Sequence, residues 1–193
     1  MGGHKPPGGN AMTIATTISA LVLAVSSATP PPRATATPLP PGFAMVSVKF
    51  YQPDEVLQRR LSAVDALAAY IKKIVEVCSA SLGPTAPPAA LDVVVAVKPN
   101  KRARVWFVAG SPTRPGPTAL ASLRGQLEAL APPDVKEGPV AFAIIGSLGG
   151  ATRPEAHRDD ASFIPMPDEW RNAIRGKPNV AAPDGILALV WGD

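Results

Sequence analysis

The chain has 193 residues, of which 46% are hydrophobic and 18% charged, and its formal net charge is +4. This length suits one domain with tails, and the composition is typical of a chain with a hydrophobic core rather than a disordered one. The charge is mild and contains no long run of one sign, so it gives no argument for a nucleic-acid partner. The single cysteine, Cys78, excludes an intrachain disulfide and a cysteine-based zinc site.

The N-terminal residues have the pattern of an export signal. Residues 12–28 contain an apolar centre at 18–25, followed by the small residues Ser26, Ser27 and Ala28. The apolar run is shorter than the ~20 residues that cross a bilayer, so we expect no stable membrane insertion after cleavage. We interpret 1–28 as a signal peptide and 29–42 as a Pro-rich linker. A buried helix or a disordered apolar tail remains the alternative.

Residues 43–193 are predicted to form a single domain that begins with a strand and a long helix. The strand is predicted at 45–51, where apolar and polar residues alternate. A helix is predicted at 54–82, because apolar residues recur there at alternating steps of four and three. That stripe comprises Leu57, Leu61, Val64, Ala68, Ile71, Val75, Cys78 and Leu82, and Leu67 and Ile74 widen it. We expect it to pack on the sheet, with Cys78 buried, although the same spacing suits a coiled-coil seam.

The clearest hairpin of the chain follows this helix. Valine-rich runs at 91–97 and 103–108 flank polar turn residues at 98–102. A second helix is predicted at 118–131 and a further strand at 140–145, with a glycine-rich turn at 146–150. A short helix beginning at Pro167, a last strand at 186–191 and otherwise irregular chain make up the expected extension 149–193.

These elements predict an α+β fold in the order (β)αββαβ, with a short helix and strand added at the C-terminus. The sheet is expected to be antiparallel, to have three to five strands and to carry the two main helices on one face. Residues 140–145 are assigned to this sheet.

The order of elements over residues 62–145 resembles the C-terminal domain of the TonB/TolA family of bacterial envelope proteins. The segments that carry the resemblance are Tyr70-Ile-Lys-Lys-Ile, Leu91-Asp-Val-Val-Val-Ala-Val, Arg104-Val-Trp-Phe-Val, Leu120-Ala-Ser-Leu-Arg-Gly-Gln-Leu-Glu-Ala-Leu-Ala-Pro-Pro and Val140-Ala-Phe-Ala-Ile. The resemblance implies an envelope compartment and contact with another envelope protein.

No stretch carries a specific catalytic signature, and no cofactor or metal site is predicted. His157 lies beside Asp159 and Asp160, but a metal site would need a second histidine at a suitable spacing. Ser111, Ser147 and Ser162 lack the surroundings of a nucleophile elbow. A small exported hydrolase or ligand-binding protein that uses the loop 149–160 is the alternative interpretation.

The remaining candidate surfaces are a basic cluster and a strand edge. Lys98, Lys101, Arg102 and Arg104 cluster at the hairpin tip, near Trp106 and Phe107, and we interpret them as a charged, soluble turn. Trp170 and Trp191 are expected to be core or cap residues. The leading hypothesis is an exported, periplasmic or secreted, non-enzymatic domain that binds another envelope protein by strand addition. Val140, Phe142 and Ile144 are the predicted partner-binding residues; the oligomeric state stays open.

Overall fold

The computed structural model describes residues 42–83, 86–110, 115–151, 164–177, 180 and 183–192, which belong to one compact unit. They form an α+β fold with a four-stranded antiparallel sheet and five helices, which confirms the predicted fold class. In chain order the elements are β1 (Phe43–Phe50), α1 (Asp54–Arg60), α2 (Val64–Leu82), β2 (Ala89–Lys98), β3 (Arg102–Ala109), α3 (Pro117–Glu128), β4 (Val140–Leu148), α4 (Asp168–Ile174) and α5 (Pro183–Trp191).

The strands lie in the order β1-β4-β2-β3, so β4 and β2 are central and β1 and β3 are the edges. β2 and β3 form the predicted hairpin, in which Lys98 pairs with Arg102. Its turn places Asn100 at φ 71° and Lys101 at φ 58°. These are the last two of the three turn residues between the paired Lys98 and Arg102, and asparagine tolerates positive φ better than most residues.

Each face of the sheet carries its own hydrophobic core. The core under α1, α2 and α3 takes the odd-numbered side chains of β2, among them Leu91, Val93, Val95 and Val97. The core under α4 and α5 takes Val94 and Ala96 from the same strand. Because both of its faces are covered, β2 is apolar at nearly every position rather than at alternate ones.

The predicted helix 54–82 is divided into α1 and α2, which corrects the single long helix. The chain between them forms a β-bridge from Leu61 to Val135, and the amide of Lys136 donates to the carbonyl of Arg60 at 2.8 Å. No glycine or proline marks the break. A tertiary backbone contact therefore interrupts a sequence whose local pattern is helical throughout.

The strand predicted at 186–191 is wrong, because these residues lie in the helix α5. α5 begins at Pro183, a residue favoured in the first turn of a helix, and Asp184 adds negative charge near the positive end of the helix dipole. The extension is also less irregular than expected. Its two helices, α4 and α5, cover the second face of the sheet with Trp170, Ile186 and Leu187.

β4 continues three residues beyond the predicted strand 140–145, through Gly146 to Leu148. Gly146 is required there, since a Cβ atom would lie 2.3 Å from the ring of Phe43 and 2.9 Å from the carbonyl oxygen of Leu91. Gly146 is therefore explained by the close packing of three strands, and the turn is confined to Gly149 and Gly150.

Candidate functional site

The predicted partner-binding residues lie in the interior of the fold. Val140, Phe142 and Ile144 are fully buried on the central strand β4 and face the core under α1, α2 and α3. β4 pairs with β1 on one side and with β2 on the other, so it has no open edge. None of the three side chains is available to a partner in this conformation, and partner binding itself stays a prediction.

The basic cluster at the hairpin tip contacts the C-terminal end of α5. Nη1 of Arg104 donates to the carbonyl of Val190 at 2.6 Å, and Nζ of Lys98 donates to the carbonyl of Gly192. Positive charge at a helix C-terminus offsets the helix dipole and satisfies carbonyls that lack helical partners. These charges therefore stabilise the attachment of α5 to the hairpin.

Aromatic rings take part in the same attachment. Lys98 and Arg102 lie 4.9 and 5.6 Å from the ring centre of Trp191, and Arg104 lies 5.4 Å from that of Trp106. Nε1 of Trp106 donates to Glu169 at 2.8 Å. Trp170 is fully buried, as expected for a core residue, and Trp191, the last residue of α5, is half-buried. The cations near Trp106 thus have intramolecular partners.

Most residues of the alternative, enzymatic interpretation lie outside the described residues: His157, Asp159, Asp160, Ser111 and Ser162. Ser147 is described, is fully buried on β4, and its hydroxyl has no hydrogen-bond partner among the described residues. Across the described ranges, no group of three or more His, Cys, Asp or Glu side chains is placed to hold a metal ion. No helix in this part of the chain is long and apolar enough to cross a membrane.

The outer edge of β3 is closed in its middle by a side chain. The amide of Gly110 donates to the carbonyl of Ala90 in β2. The backbone amides and carbonyls of the even-numbered residues of β3 therefore bond to β2, and those of the odd-numbered residues point away from the sheet. The outward amide of Val105 donates to Oε1 of Glu128, on the last turn of α3, at 2.9 Å. A carboxylate in this position occupies a donor that an added strand would need.

The outer edge of β1 has outward backbone groups at Val48 and Phe50. The amide of Tyr51 donates to the carbonyl of Ala141 in the ladder with β4, and the register pairs Phe50 with Phe142. Hydrogen-bonded and non-hydrogen-bonded pairs alternate in an antiparallel ladder, so the amides and carbonyls of Val48 and Phe50 point away from β4. In the described part of the chain no strand pairs with this edge.

One flank of α2 is apolar but only partly buried. The buried line of this helix is Leu67, Tyr70, Ile74 and Cys78. The neighbouring line, Val64, Ala68, Ile71 and Val75, ranges from half-buried to exposed, and Val64 is 71% exposed. We call this second line the α2 flank. It carries more apolar surface than the core under the helix uses.

Hydrogen bonds at the end of α2 show which way the α2 flank faces. Ser79 lies one turn after Val75 on the same side of the helix, and its hydroxyl donates to the carbonyl of Phe43 in β1 at 2.9 Å. Ser81, on the other side, bonds to Gln126 of α3 at 3.0 Å. The α2 flank therefore lies on the β1 side of the helix.

The open edge and the α2 flank meet at a small apolar pocket. The pocket has a volume of about 330 Å³ and is lined by Phe50, Asp54, Leu57, Gln58, Leu61, Val64 and Leu67. It lies between the C-terminal end of β1 and the first turn of α2, whereas the hydrogen bond from Ser79 links the C-terminal end of α2 to the N-terminal end of β1. β1 and α2 are thus antiparallel neighbours. We call the open edge of β1, the α2 flank and this pocket together the β1–α2 groove.

The apolar residues of the α2 flank were recognisable in the sequence, but the direction in which they face was not. The predicted stripe of the long helix includes the four residues of the α2 flank, which were expected to be buried. The structure centres burial on Leu67, Tyr70, Ile74 and Cys78, so the two residues that widen the predicted stripe are buried, while Val64 and Ala68 on its main line are exposed. Cys78 belongs to the predicted stripe and to the buried line of α2, and it is buried as expected. Burial raises the pKa of its thiol to about 12.

The described fold defines an α+β domain whose antiparallel sheet is covered on both faces, with the β1–α2 groove at one edge. No protein-family model, curated protein or solved structure matches the chain. The site must therefore be judged from its own geometry.

Proposed function

We propose that this chain is a non-enzymatic protein-interaction domain that binds an extended segment of another protein at the β1–α2 groove. The observation that carries the proposal is a strand edge with which no described strand pairs, beside apolar surface that the described residues leave partly exposed. Strand addition combines these two features, since the backbone supplies hydrogen bonds and alternate side chains enter apolar sites. Met45, on the same strand, is 45% exposed.

The geometry limits where a segment binds. A β-bulge between Met45 and Ser47 shifts the register of β1, so the regular part of the edge extends from Ser47 to Phe50. Residues of an added strand opposite Val48 and Phe50 place their side chains on the face of α2. The pocket beside Phe50 then receives an apolar side chain of the partner.

Proline at position 48 tests this mode of binding. Val48→Pro removes an outward amide that makes no bond to β4, and proline is tolerated on edge strands, so we expect a folded protein that no longer binds. Retention of partners from an envelope fraction on immobilised protein is the measurement, with Val48→Thr as the matched variant that keeps the amide. Equal retention by Val48→Pro and the parent chain would contradict strand addition at β1.

We also propose that the domain works in the periplasm or outside the cell. This proposal depends on the signal-like pattern of residues 12–28 and on the resemblance to TonB/TolA C-terminal domains. Expression with the native N-terminus in a bacterial host should give a mature protein that begins at Thr29. N-terminal sequencing of the fractionated protein measures this, and an uncleaved cytoplasmic product would contradict export.

A further inference from the structure

The mouth of the pocket in the β1–α2 groove is acidic although the chain as a whole is basic. Asp54 lines the pocket, and Glu55 and Asp65 directly follow the lining residues Asp54 and Val64 in the first turns of α1 and α2. All three side chains are exposed, and they form no ion pair with any residue that the structure describes. We call Asp54, Glu55 and Asp65 the acidic mouth.

Nearby cations do not cancel this charge. Arg60 is engaged by Asp184 through two hydrogen bonds, and Lys49 extends from the opposite face of the sheet, since its strand neighbours Val48 and Phe50 face α2. Arg59, at the end of α1, and Lys136, whose amide donates to the carbonyl of Arg60, remain and are exposed. Three carboxylates against these two cations leave the acidic mouth with negative charge, in a molecule of net charge +4.

We propose that the β1–α2 groove selects an extended segment that carries an apolar residue and, two positions away, a lysine or arginine. This inference depends on the proposed strand addition and adds the chemistry of the partner. The apolar side chain enters the pocket beside Phe50. Since side chains two apart share one face of a strand, the cation then lies on the same face and reaches Asp54.

Charge complementarity argues against a second copy of the chain as the occupant. In a symmetric antiparallel pairing of two β1 strands, the N-terminal half of one strand lies beside the acidic mouth of the other. That half is Phe43, Ala44, Met45 and Val46, which carry no charge. A second copy would bury apolar surface there but leave the carboxylates unpaired.

Two probe peptides test the inference on the full chain. The first is acetyl-Lys-Thr-Leu-Thr-Leu-Thr-Lys-amide, which has the same sequence in both directions and so does not depend on strand orientation; the second replaces both lysines with glutamate. We expect the lysine peptide to bind about fivefold more tightly, the upper range for an exposed ion pair. The net charge of the chain by itself favours the opposite order.

Variants separate this inference from the proposed function. Asp54→Asn combined with Glu55→Gln should abolish the preference for lysine, whereas Asp168→Asn, on the exposed start of α4, should keep it. Val48→Pro and Val64→Asn should each abolish binding of both peptides, and Val64 is exposed enough for its substitution to leave folding intact. Fluorescence anisotropy gives the dissociation constants.

The outcomes are distinct. If both peptides bind equally, or the glutamate peptide binds more tightly, while Val48→Pro and Val64→Asn abolish binding, the inference is overturned and the strand-addition proposal stands. If neither peptide binds, or both bind these two variants unchanged, both proposals are overturned. If sedimentation shows a dimer that Val48→Pro or Val64→Asn converts to a monomer, the groove belongs to a second copy and the inference is overturned.

Discussion

Arg60 joins three separate parts of the described chain. Its Nη1 donates to Oδ1 of Asp184 at 2.8 Å and to the carbonyl of Pro139 at 2.7 Å, and its Nη2 donates to Oδ2 of Asp184. The first residue after α1 and the residues before β4 also form a bridge here. The hydrogen bonds from Arg60 hold the pKa of the Asp184 carboxyl below its usual value.

Replacement of Asp184 by asparagine should reduce stability in a pH-dependent way. A carboxyl whose pKa is lower in the folded state stabilises the fold above its unfolded pKa of about 3.9, and this contribution is lost as pH falls through the folded pKa. Asp184 is half-exposed, so screening by water limits the loss in Asp184→Asn at neutral pH to about 1 kcal/mol. Urea unfolding at pH 7 and at pH 3 measures the difference between the two proteins.

We expect that difference to be smaller at pH 3, because pH 3 lies below the unfolded pKa of an aspartate and part of the contribution of Asp184 is lost there. Asp168→Asn is the matched control, since the one ion pair of Asp168 among the described residues is with Arg171 on its own helix and both side chains are exposed. A difference in the free energy of unfolding that is the same at both pH values would show that Asp184 acts by packing rather than by charge.

Residue-level chemistry was predictable where it depends on local properties. The burial of Cys78 and of Trp170 followed from their residue types and their apolar neighbours. The partners of Lys98 and Arg104 could not be predicted, because they are carbonyls at the end of α5, about 90 residues further along the chain, and no local pattern encodes such a contact.

At the scale of elements, α5 shows how a short apolar run can be misinterpreted. Residues 186–191 are apolar and of strand length, and such a run does not distinguish a buried helix from a strand. The signal that distinguishes them is the pair Pro183 and Asp184, which is typical of a helix start. The structure buries Ile186 and Leu187 and leaves Leu189 43% exposed, as one face of a helix requires.

Two leucines of α5 provide a matched test of this assignment. Leu187 is fully buried in the core under α4 and α5, so Leu187→Ala should destabilise the protein by about 3 kcal/mol through lost burial and a residual cavity. Leu189→Ala makes the same chemical change two residues away on the exposed side and should cost about 0.5 kcal/mol. Guanidinium unfolding gives both values. A strand at 186–191 would place both side chains on one face and give similar losses.

The division of the predicted long helix was not predictable from spacing. Leu61 and Val64 continue the apolar period through the break, and the residues between them favour no particular turn. The bridge between Leu61 and Val135 decides the local structure, because it satisfies backbone groups that a continuous helix would have satisfied differently. The same break starts α2 at Val64 and so creates the pocket of the β1–α2 groove.

At the scale of the whole molecule, the second covered face of the sheet is the main feature that the sequence interpretation missed. The signal was present in β2, whose residues 91–97 are apolar on both sides except for Asp92. A strand with only one buried face alternates apolar and polar residues. The second face was missed because both main helices were expected on one face, and the residues that cover the other face were assigned to an extension with a short helix and a strand.

Removal of residues 152–193 should therefore destroy the native fold of the remaining chain rather than leave the sheet and α1, α2 and α3 intact. The deletion uncovers Trp106 and Ile145 along with the rest of the core under α4 and α5, and it leaves Lys98 and Arg104 without the helix end that they contact. We expect the shortened chain to bind a hydrophobic dye and to lose a cooperative thermal transition. A chain ending at residue 151 that melts as sharply as the parent would show that α1, α2 and α3 with the sheet suffice. Because β4 is the one strand among the described residues that pairs with β1, loss of the second core should also loosen the edge that the β1–α2 groove requires, so peptide binding should disappear with the transition.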